Sequence, residues 1–582
     1  METFQIKESA KEFDVVIVGS GAGGGMAAYQ LTKAGAKVCL LEAGGYYDPA
    51  DAKYITQLKN PWDSPRRGAS SKFRSFGDFD AAWGGWQLEG EPYTQEKDSD
   101  FWWFRSRMLG GRTNHWGRIS LRFGPKDFKR KSIDGLGDDW PISYEDIAPY
   151  YDEVDKLIGV FGTREGLPND PDSIYLKPPK PRLHELMLME ANKKTGVLTI
   201  PSRLSILTEP INDERGSCFY CNQCNRGCQA YADFSSSSVL VKPAMKTGNL
   251  TLINNAMVRE VLTDSEGKAT GVSYVDKRNV GEYTIKGKVV ILAASACESS
   301  RLLLNSKSSR FQNGLSNSSG VVGKYLHDST GAGRGAYVPS LFGRKRYNED
   351  GVGGMHVYSP WWLDNKKLDF PRGYHIEYWG GMSGAPGFGY GFGMENVNGQ
   401  YPGSNGKVKE AGGYGASLKD DYRHFYGSYV GMSGRGEAIA REDNYCEIDP
   451  KVVDKWGIPV LKFNYKWSEH EINQAKHMQD TFEEILTEMG GVLTGEKPGA
   501  DTNYGLTKPG QIIHEVGTVR MGNDPSKSAL NSYCQSHDVK NLFCVDGGAF
   551  VSQADKNPTW TILALSMRAS DYIIKEIKNG GL

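Results

Sequence analysis

The chain has 582 residues, of which 39% are hydrophobic and 24% charged, and its formal net charge is −1. This length exceeds one ordinary hydrophobic core, so the sequence predicts two or more domains or one large α/β unit with insertions. The near-neutral charge argues against nucleic acid or an anionic membrane as a partner, and no apolar run is long enough to predict a transmembrane segment.

The first predicted elements are a strand, a helix and a second strand. The apolar segment Phe13 to Val18 is typical of a buried parallel strand. The segment MAAYQLTKAG predicts an amphipathic helix that ends at Gly35. The segment KVCLLEAGG predicts the second strand, which ends at Glu42.

Three glycines between the first strand and the helix, Gly19, Gly21 and Gly24, have the G-x-G-x-x-G spacing of dinucleotide-binding turns. They permit a tight turn and let the backbone approach a pyrophosphate, which the start of the helix stabilises. Glu42 is placed to accept hydrogen bonds from a ribose 2′-hydroxyl and disfavours the 2′-phosphate of NADP. We therefore predict a site for NAD or FAD, and a tight turn without a ligand is the alternative.

Four of the nine cysteines lie in one short segment, SCFYCNQCNRGCQ. Cys218, Cys221, Cys224 and Cys228 have the C-x2-C-x2-C-x3-C spacing of ferredoxin ligands, without the final proline. This spacing predicts an iron–sulfur cluster, and three thiolates suffice for the [3Fe–4S] type. A zinc site and structural cysteines, reduced or disulfide-linked, are the alternatives.

Five further segments, in this order along the chain, carry a family resemblance. They are RMLGGRTNHWGRISLRF, VVILAASACESSRLLLNS, SSGVVGKYLHDS, HEVGTVRMG and NLFCVDGGAFVSQADKNPTWTILALSMRASDYI. Together they resemble the glucose–methanol–choline (GMC) family of FAD oxidoreductases. Within it the chain is most similar to the bacterial gluconate 2-dehydrogenase, FAD-glucose dehydrogenase, fructose dehydrogenase and glucoside 3-dehydrogenase large subunits. The resemblance is poor between about residues 331 and 510.

The resemblance implies FAD as the cofactor and an α/β fold, α+β overall. A discontinuous Rossmann-like FAD-binding domain would comprise residues 1–125, 238–330 and 511–582. A substrate domain with a mostly antiparallel sheet would comprise residues 126–237 and 331–510, with the cysteine-rich loop at 217–229.

The resemblance also implies a catalytic pair, His514 and Asn557, at the positions of the base and its partner in the glucose dehydrogenase and pyranose oxidase branches. A neutral imidazole can take the hydroxyl proton near pH 7, and the amide can hold the same oxygen so that the C–H bond faces the flavin. The alternative is a structural histidine and an asparagine that caps the helix beginning at Pro558.

Further contacts with FAD follow from the same resemblance. In pyranose oxidase and fructose dehydrogenase, the histidine matching His115 is bonded covalently to the flavin 8α-methyl group; for this chain both a covalent and a non-covalent contact stay open. The other implied cofactor-binding residues are Gly110, Gly111, Asn114, Ala294, Asp546, Gly547, Pro558 and Thr559.

The expected activity is oxidation of a secondary or anomeric hydroxyl of a sugar, glycoside or sugar acid by hydride transfer to FAD. Electrons would pass through the cluster to a protein acceptor of the cytochrome type, with a small subunit as a further partner. The sequence shows no signal peptide and alone predicts a cytoplasmic protein, whereas the resemblance implies a periplasmic or membrane-associated one, exported with a partner. The alternatives are a flavin oxidase that uses O2 and a flavin-bearing electron-transfer subunit without substrate chemistry.

Overall fold

The structure, a computed structural model, describes residues 12–51, 84–222, 224, 227–345, 351–360, 362–363, 368–382 and 393–582. Its helices in these ranges are α1 Ala22–Lys33, α2 Arg130–Asp134, α3 Tyr144–Ile158, α4 Leu183–Thr195, α5 Lys242–Lys246, α6 Ala296–Asn305, α7 Gly415–Phe425, α8 Glu469–Glu488 and α9 Thr559–Asn579. Its strands there are β1 Phe13–Val18, β2 Val38–Glu42, β3 Gly84–Gly85, β4 Thr94–Gln95, β5 Arg105–Ser106, β6 Ile200–Pro201, β7 Leu250–Asn254, β8 Ala256–Thr263, β9 Ala269–Asp276, β10 Gly281–Leu292, β11 Gly333–Tyr337, β12 Val357–Ser359, β13 Tyr374–Gly380, β14 Tyr429–Gly436, β15 Tyr445–Val453, β16 Pro459–Asn464, β17 Val492–Leu493 and β18 Leu542–Cys544.

The larger sheet is mixed and draws its strands from distant parts of the chain. Its order is β7-β2-β1-β10-β9-β8, and β18 pairs with β10. The strands β7, β2, β1, β10 and β18 are parallel, whereas β9 and β8 continue from β10 as antiparallel neighbours. The predicted strands β1 and β2 are confirmed, and their buried apolar runs are typical of a parallel sheet covered on both faces.

Helices α1 and α9 pack on each other beside this sheet. The hydroxyl of Ser566 in α9 donates to the carbonyl oxygen of Gly23 in α1 at 2.7 Å, which joins the two ends of the chain. Helix α9 follows Pro558, whose fixed φ suits a helix start, and it ends at Gly580 in the left-handed conformation. The first and last helices named above are therefore neighbours in the fold.

The second large sheet is entirely antiparallel, with the order β17-β11-β14-β13-β12-β6. Helix α8 packs on β11 and β14, and α4 packs on α8. The shared core includes Met432 on β14 and Phe482 on α8. The predicted fold class, an α/β part plus a mostly antiparallel sheet, is thus confirmed. Among the described residues, every helix is too short or too polar to cross a membrane.

Candidate active site

One long cleft connects the glycine turn with the segment around His514. Its floor lies where β1, β2, β10 and β18 end, which is where open parallel sheets bind their ligands. The cleft brings together most of the site residues predicted from the sequence: Gly19, Gly21, Glu42, Gly111, His115, Ala294, His514, Asp546, Gly547, Asn557, Pro558 and Thr559.

Of the three glycines in the turn, Gly19 and Gly24 are closely packed, and Gly21 borders open space in which a dinucleotide could lie. Gly19 has φ +94°, and a Cβ there would lie 2.3 Å from the carbonyl oxygen of Ala293. A Cβ at Gly24 would lie 1.9 Å from the carbonyl oxygen of Gly19, so this glycine serves close packing of helix on strand. A Cβ at Gly21, by contrast, would meet no atom within 4 Å. The open space before Gly21, at the start of α1, fits a pyrophosphate.

Glu42 is the last residue of β2 and lines the cleft. Its carboxylate accepts hydrogen bonds from the hydroxyl of Ser20 at 2.5 Å and from the backbone N–H of Gly44 at 2.8 Å. Burial raises the pKa of Glu42, and these hydrogen bonds oppose that rise. The carboxylate is therefore held in one place beside the cleft, as a group that binds a ribose should be.

Three predicted cofactor residues lie behind the cleft wall rather than on it: Gly24, Gly110 and Asn114. The Asn114 side chain donates to the carbonyl oxygens of Leu109 and Gly111 and accepts from the hydroxyl of Ser237. These bonds shape the loop that presents Gly111 and His115 to the cleft. Contacts of these three residues with FAD stay predictions.

His514 and Asn557 meet at the other end of the cleft, although 43 positions separate them in sequence. Their side chains are joined by a 3.2 Å contact between Asn557 Nδ2 and His514 Nε2. The other ring nitrogen, Nδ1, lies 3.0 Å from the hydroxyl of Ser329. Because an amide nitrogen can only donate, Nε2 is the acceptor and Nδ1 carries the proton. Within the described residues, Asn557 Oδ1 has no hydrogen-bond partner, so the side chain does not cap α9.

The surroundings of His514 keep its imidazole neutral. Burial, together with the charge of Arg435, lowers its pKa to about 3. A neutral ring with its Nε2 lone pair turned toward the cleft can accept a proton, whereas an imidazolium cannot.

A buried carboxyl group lies behind the imidazole. Asp328 Oδ1 accepts from the backbone N–H of His514 at 2.9 Å. Burial and the nearby charge of Glu515 raise the pKa of Asp328 to about 7. Ionisation of Asp328 therefore changes the field at His514 within the physiological pH range.

Three side chains close to the pair were not predicted from the sequence: His375, Glu377 and Arg435. Glu377 Oε1 lies 3.4 Å from Asn557 Nδ2, and Glu377 Oε2 lies 3.1 Å from the guanidinium of Arg435. The only signal in the sequence was the alternation of the segment YHIEY, which places His375 and Glu377 on one face of a strand.

The four clustered cysteines do not form a metal site among the described residues. Cys224 and Cys228 are buried, and Cys218 and Cys221 are half-buried. Burial raises the pKa of Cys218 to about 12 and that of Cys228 to about 11, so without a bound metal both groups are thiols. In the described part of the chain, no three His, Cys, Asp or Glu side chains are grouped to hold a metal ion; positions 223, 225 and 226 of this loop lie outside that part.

The cysteine-rich loop is nevertheless tied to the cleft wall by one buried arginine. The guanidinium of Arg118 donates to the carbonyl oxygen of Cys224 at 2.8 Å and to the carboxylate of Asp233 at 2.6 Å. It also donates to the backbone of Trp116, which lines the cleft. The loop and the wall therefore share one hydrogen-bond network.

Comparison with known families matches most of the chain. Models described as GMC oxidoreductase match residues 35–330 and 440–566, and a model described as FAD binding domain matches residues 14–48. The chain is 29% identical to the 2-methyl-1,2-propanediol dehydrogenase of Mycolicibacterium austroafricanum, over 98% of this chain and 97% of that protein. It is 26% identical to the fructose dehydrogenase large subunit of Gluconobacter japonicus, over 97% and 98% respectively.

A further relative is the gluconate 2-dehydrogenase flavoprotein of Pantoea cypripedii, 26% identical over 100% of this chain and 96% of that protein. Among solved structures, pyridoxine 4-oxidase from Mesorbium loti is similar with a TM-score of 0.59 and 16% identity, over 96% of this chain and 99% of that one. At this identity the structural likeness concerns the fold alone.

Proposed function

Because the chain belongs to the GMC oxidoreductase family and is an FAD-dependent enzyme that oxidises hydroxyl groups, we propose that its substrate is a sugar, glycoside or sugar acid and that the group oxidised is a secondary or anomeric hydroxyl. The observation that carries this proposal is the 3.2 Å contact between His514 and Asn557 at the end of a cleft that begins at a dinucleotide-binding turn. Two relatives that match along nearly their whole length, named for fructose and gluconate oxidation, support the substrate class.

The pair supplies what alcohol oxidation requires of the protein. His514 Nε2 takes the hydroxyl proton, and Asn557 holds the same oxygen so that its carbon keeps one orientation. The hydroxyl oxygen of Ser329 accepts a hydrogen bond from His514 Nδ1–H, which keeps the ring in the tautomer that leaves Nε2 basic. Bound FAD supplies the hydride acceptor, for which the glycine turn, Glu42 and the loop at His115 would form the cradle.

The proposed electron acceptor is another protein of the cytochrome type, with a small subunit as partner and a periplasmic or membrane-associated location reached with an exported partner. Support comes from the relative named as a large subunit. We also keep the iron–sulfur cluster as a proposal; it rests on the cysteine spacing alone, and no step of the proposed reaction passes through it.

The test is an anaerobic screen of the FAD-loaded protein against D-glucose, D-fructose, D-gluconate, a methyl glucoside and 2-methyl-1,2-propanediol. We expect at least one of these polyols to bleach the flavin absorbance and to support turnover with an artificial dye. Fast peroxide formation in air would instead favour an oxidase. Failure of every polyol to bleach the flavin would contradict the proposed function.

A further inference from the structure

Three side chains beside Asn557 lie on one face of the antiparallel sheet. His375 on β13 is the register partner of Arg435 on β14, and Glu377 follows two positions later on β13. Paired residues and residues two apart on a strand point to the same face of a sheet. The 3.4 Å contact between Glu377 Oε1 and Asn557 Nδ2 shows that this face borders His514 and Asn557.

Glu377 is a buried carboxylate beside Arg435, His375 and Asn557. Its Oε1 lies 3.2 Å from His375 Nε2 and 3.4 Å from Asn557 Nδ2, while its Oε2 lies 3.1 Å from Arg435. Burial alone would raise the pKa of Glu377, but Arg435 and His375 lower it to about 2. The side chain therefore acts only as an acceptor toward Asn557.

The Asn557 amide has two possible orientations of nearly equal shape, and its neighbours distinguish them. Nδ2 lies between His514 Nε2 and Glu377 Oε1, and the carboxylate oxygen, which can only accept, requires the N–H edge on this side. Asn557 Oδ1 is buried and has no hydrogen-bond partner within the described ranges of the chain, so nothing on that edge fixes the amide there. A flipped amide would press its oxygen against a carboxylate and an imidazole lone pair, which is repulsive.

We infer that Glu377 is a positioning residue that locks the Asn557 amide with its N–H edge toward the oxygen from which His514 takes the proton. One N–H stays on Glu377 Oε1, and the other turns from His514 Nε2 to the incoming hydroxyl oxygen. That hydroxyl then donates to Nε2 and accepts from Nδ2, so two groups fix its direction. The inference deepens the proposed function and rests on it.

The experiment uses the FAD-loaded full chain and the panel polyol that bleaches the wild-type flavin fastest, mixed anaerobically in a stopped-flow instrument. The variants are Glu377→Gln, Glu377→Asp, Asn557→Ala and the double variant Glu377→Gln/Asn557→Ala. The matched control is Glu190→Gln, a substitution of the same kind at an exposed position of α4. FAD content and Tm of each variant report whether it is folded.

We expect Glu377→Gln to slow flavin reduction about 10- to 100-fold while the apparent Kd for the polyol changes less than about threefold. The reason is that the substitution disturbs the orientation of the Asn557 amide, and with it that of the reacting hydroxyl, rather than the binding of the polyol. Glu377→Asp, which keeps the charge, should lose less. The double variant should be as slow as Asn557→Ala alone, since Glu377 acts through that amide; a merely structural role would add its loss to that of Asn557→Ala.

Additive losses, or an unchanged rate in Glu377→Gln, would overturn the inference while the proposed function stands. A wild-type flavin that no panel polyol bleaches would overturn both. If Asn557→Ala does not retain FAD, Asn557→Ser takes its place in the cycle, with the same two outcomes.

Discussion

The cleft at His514 and the cysteine-rich loop at 217–229 are two places where the chain concentrates reactive side chains. In the cleft, His514 and Asn557 come from distant segments, and both ring nitrogens of the histidine have defined partners. In the loop, four cysteines lie within eleven positions, burial raises the pKa of Cys218, Cys224 and Cys228, and the described residues hold no group of three ligands arranged for a metal ion. In the cleft, the candidate residues are brought together by the fold rather than by closeness in sequence.

The largest expected effect tests the cleft. His514→Ala should slow anaerobic flavin reduction by about 10²- to 10⁴-fold, because the variant has no base at the position of Nε2. FAD should remain bound, since the glycine turn and Glu42 are untouched, and this is read from the flavin absorbance of the purified protein. His470→Ala, at an exposed position, is the control. A wild-type rate of flavin reduction in His514→Ala would contradict the role of His514 as the base, and the cleft would then have no better claim to be the active site than the loop.

An effect of intermediate size is expected from Asp328, whose carboxyl group accepts a hydrogen bond from the backbone N–H of His514. The pKa of Asp328 is about 7, raised by burial and by the charge of Glu515, so the group becomes negative as pH rises from 6 to 8. A negative charge there favours a developing imidazolium at His514, so the flavin reduction rate should rise about 3- to 10-fold through this range. The other groups facing it are Arg112, paired with Glu515, and the Tyr465 hydroxyl.

Stopped-flow rates between pH 5.5 and 8.5 test this expectation. Asp328→Asn should give a flat profile over the same range. A profile that keeps its inflection near pH 7 in Asp328→Asn would assign the titration to another group.

The smallest effect is expected in the loop. Cys224→Ser should leave substrate-dependent flavin reduction within about twofold of wild type, because the thiols lie outside the cleft. Cys534→Ser, a buried cysteine elsewhere, is the matched control. Iron and acid-labile sulfide in the wild type that disappear in Cys224→Ser would support the proposed cluster; their absence from the wild type would contradict it.

Much of this fold could be predicted because local patterns agreed with the final structure. The strand at Phe13, the helix after the glycine turn and the strand ending at Glu42 follow from apolar runs and punctuating glycines. The position of His514 beside Asn557 did not follow from any periodicity; it came from the family resemblance alone.

The residues around that pair could not be predicted from the sequence, for a physical reason. Glu377 and Arg435 face each other only because β13 and β14 pair in a particular antiparallel register, and nothing in either segment encodes that register. In the cysteine-rich loop the regular spacing was visible, but the burial that raises the pKa of Cys224 and Cys228, to which the charge of Asp233 adds, is a property of the folded chain.

The sheet beneath the cleft also dictates an order of assembly. Strand β1 needs β10 as its neighbour, β10 in turn pairs with β18, and α9 closes the face beside α1. During synthesis the N-terminal glycine turn must therefore wait for more than five hundred residues before its surroundings are complete. A chain cut short within α9 would contain nearly all the residues that line the cleft, yet α1 would lack its packing partner.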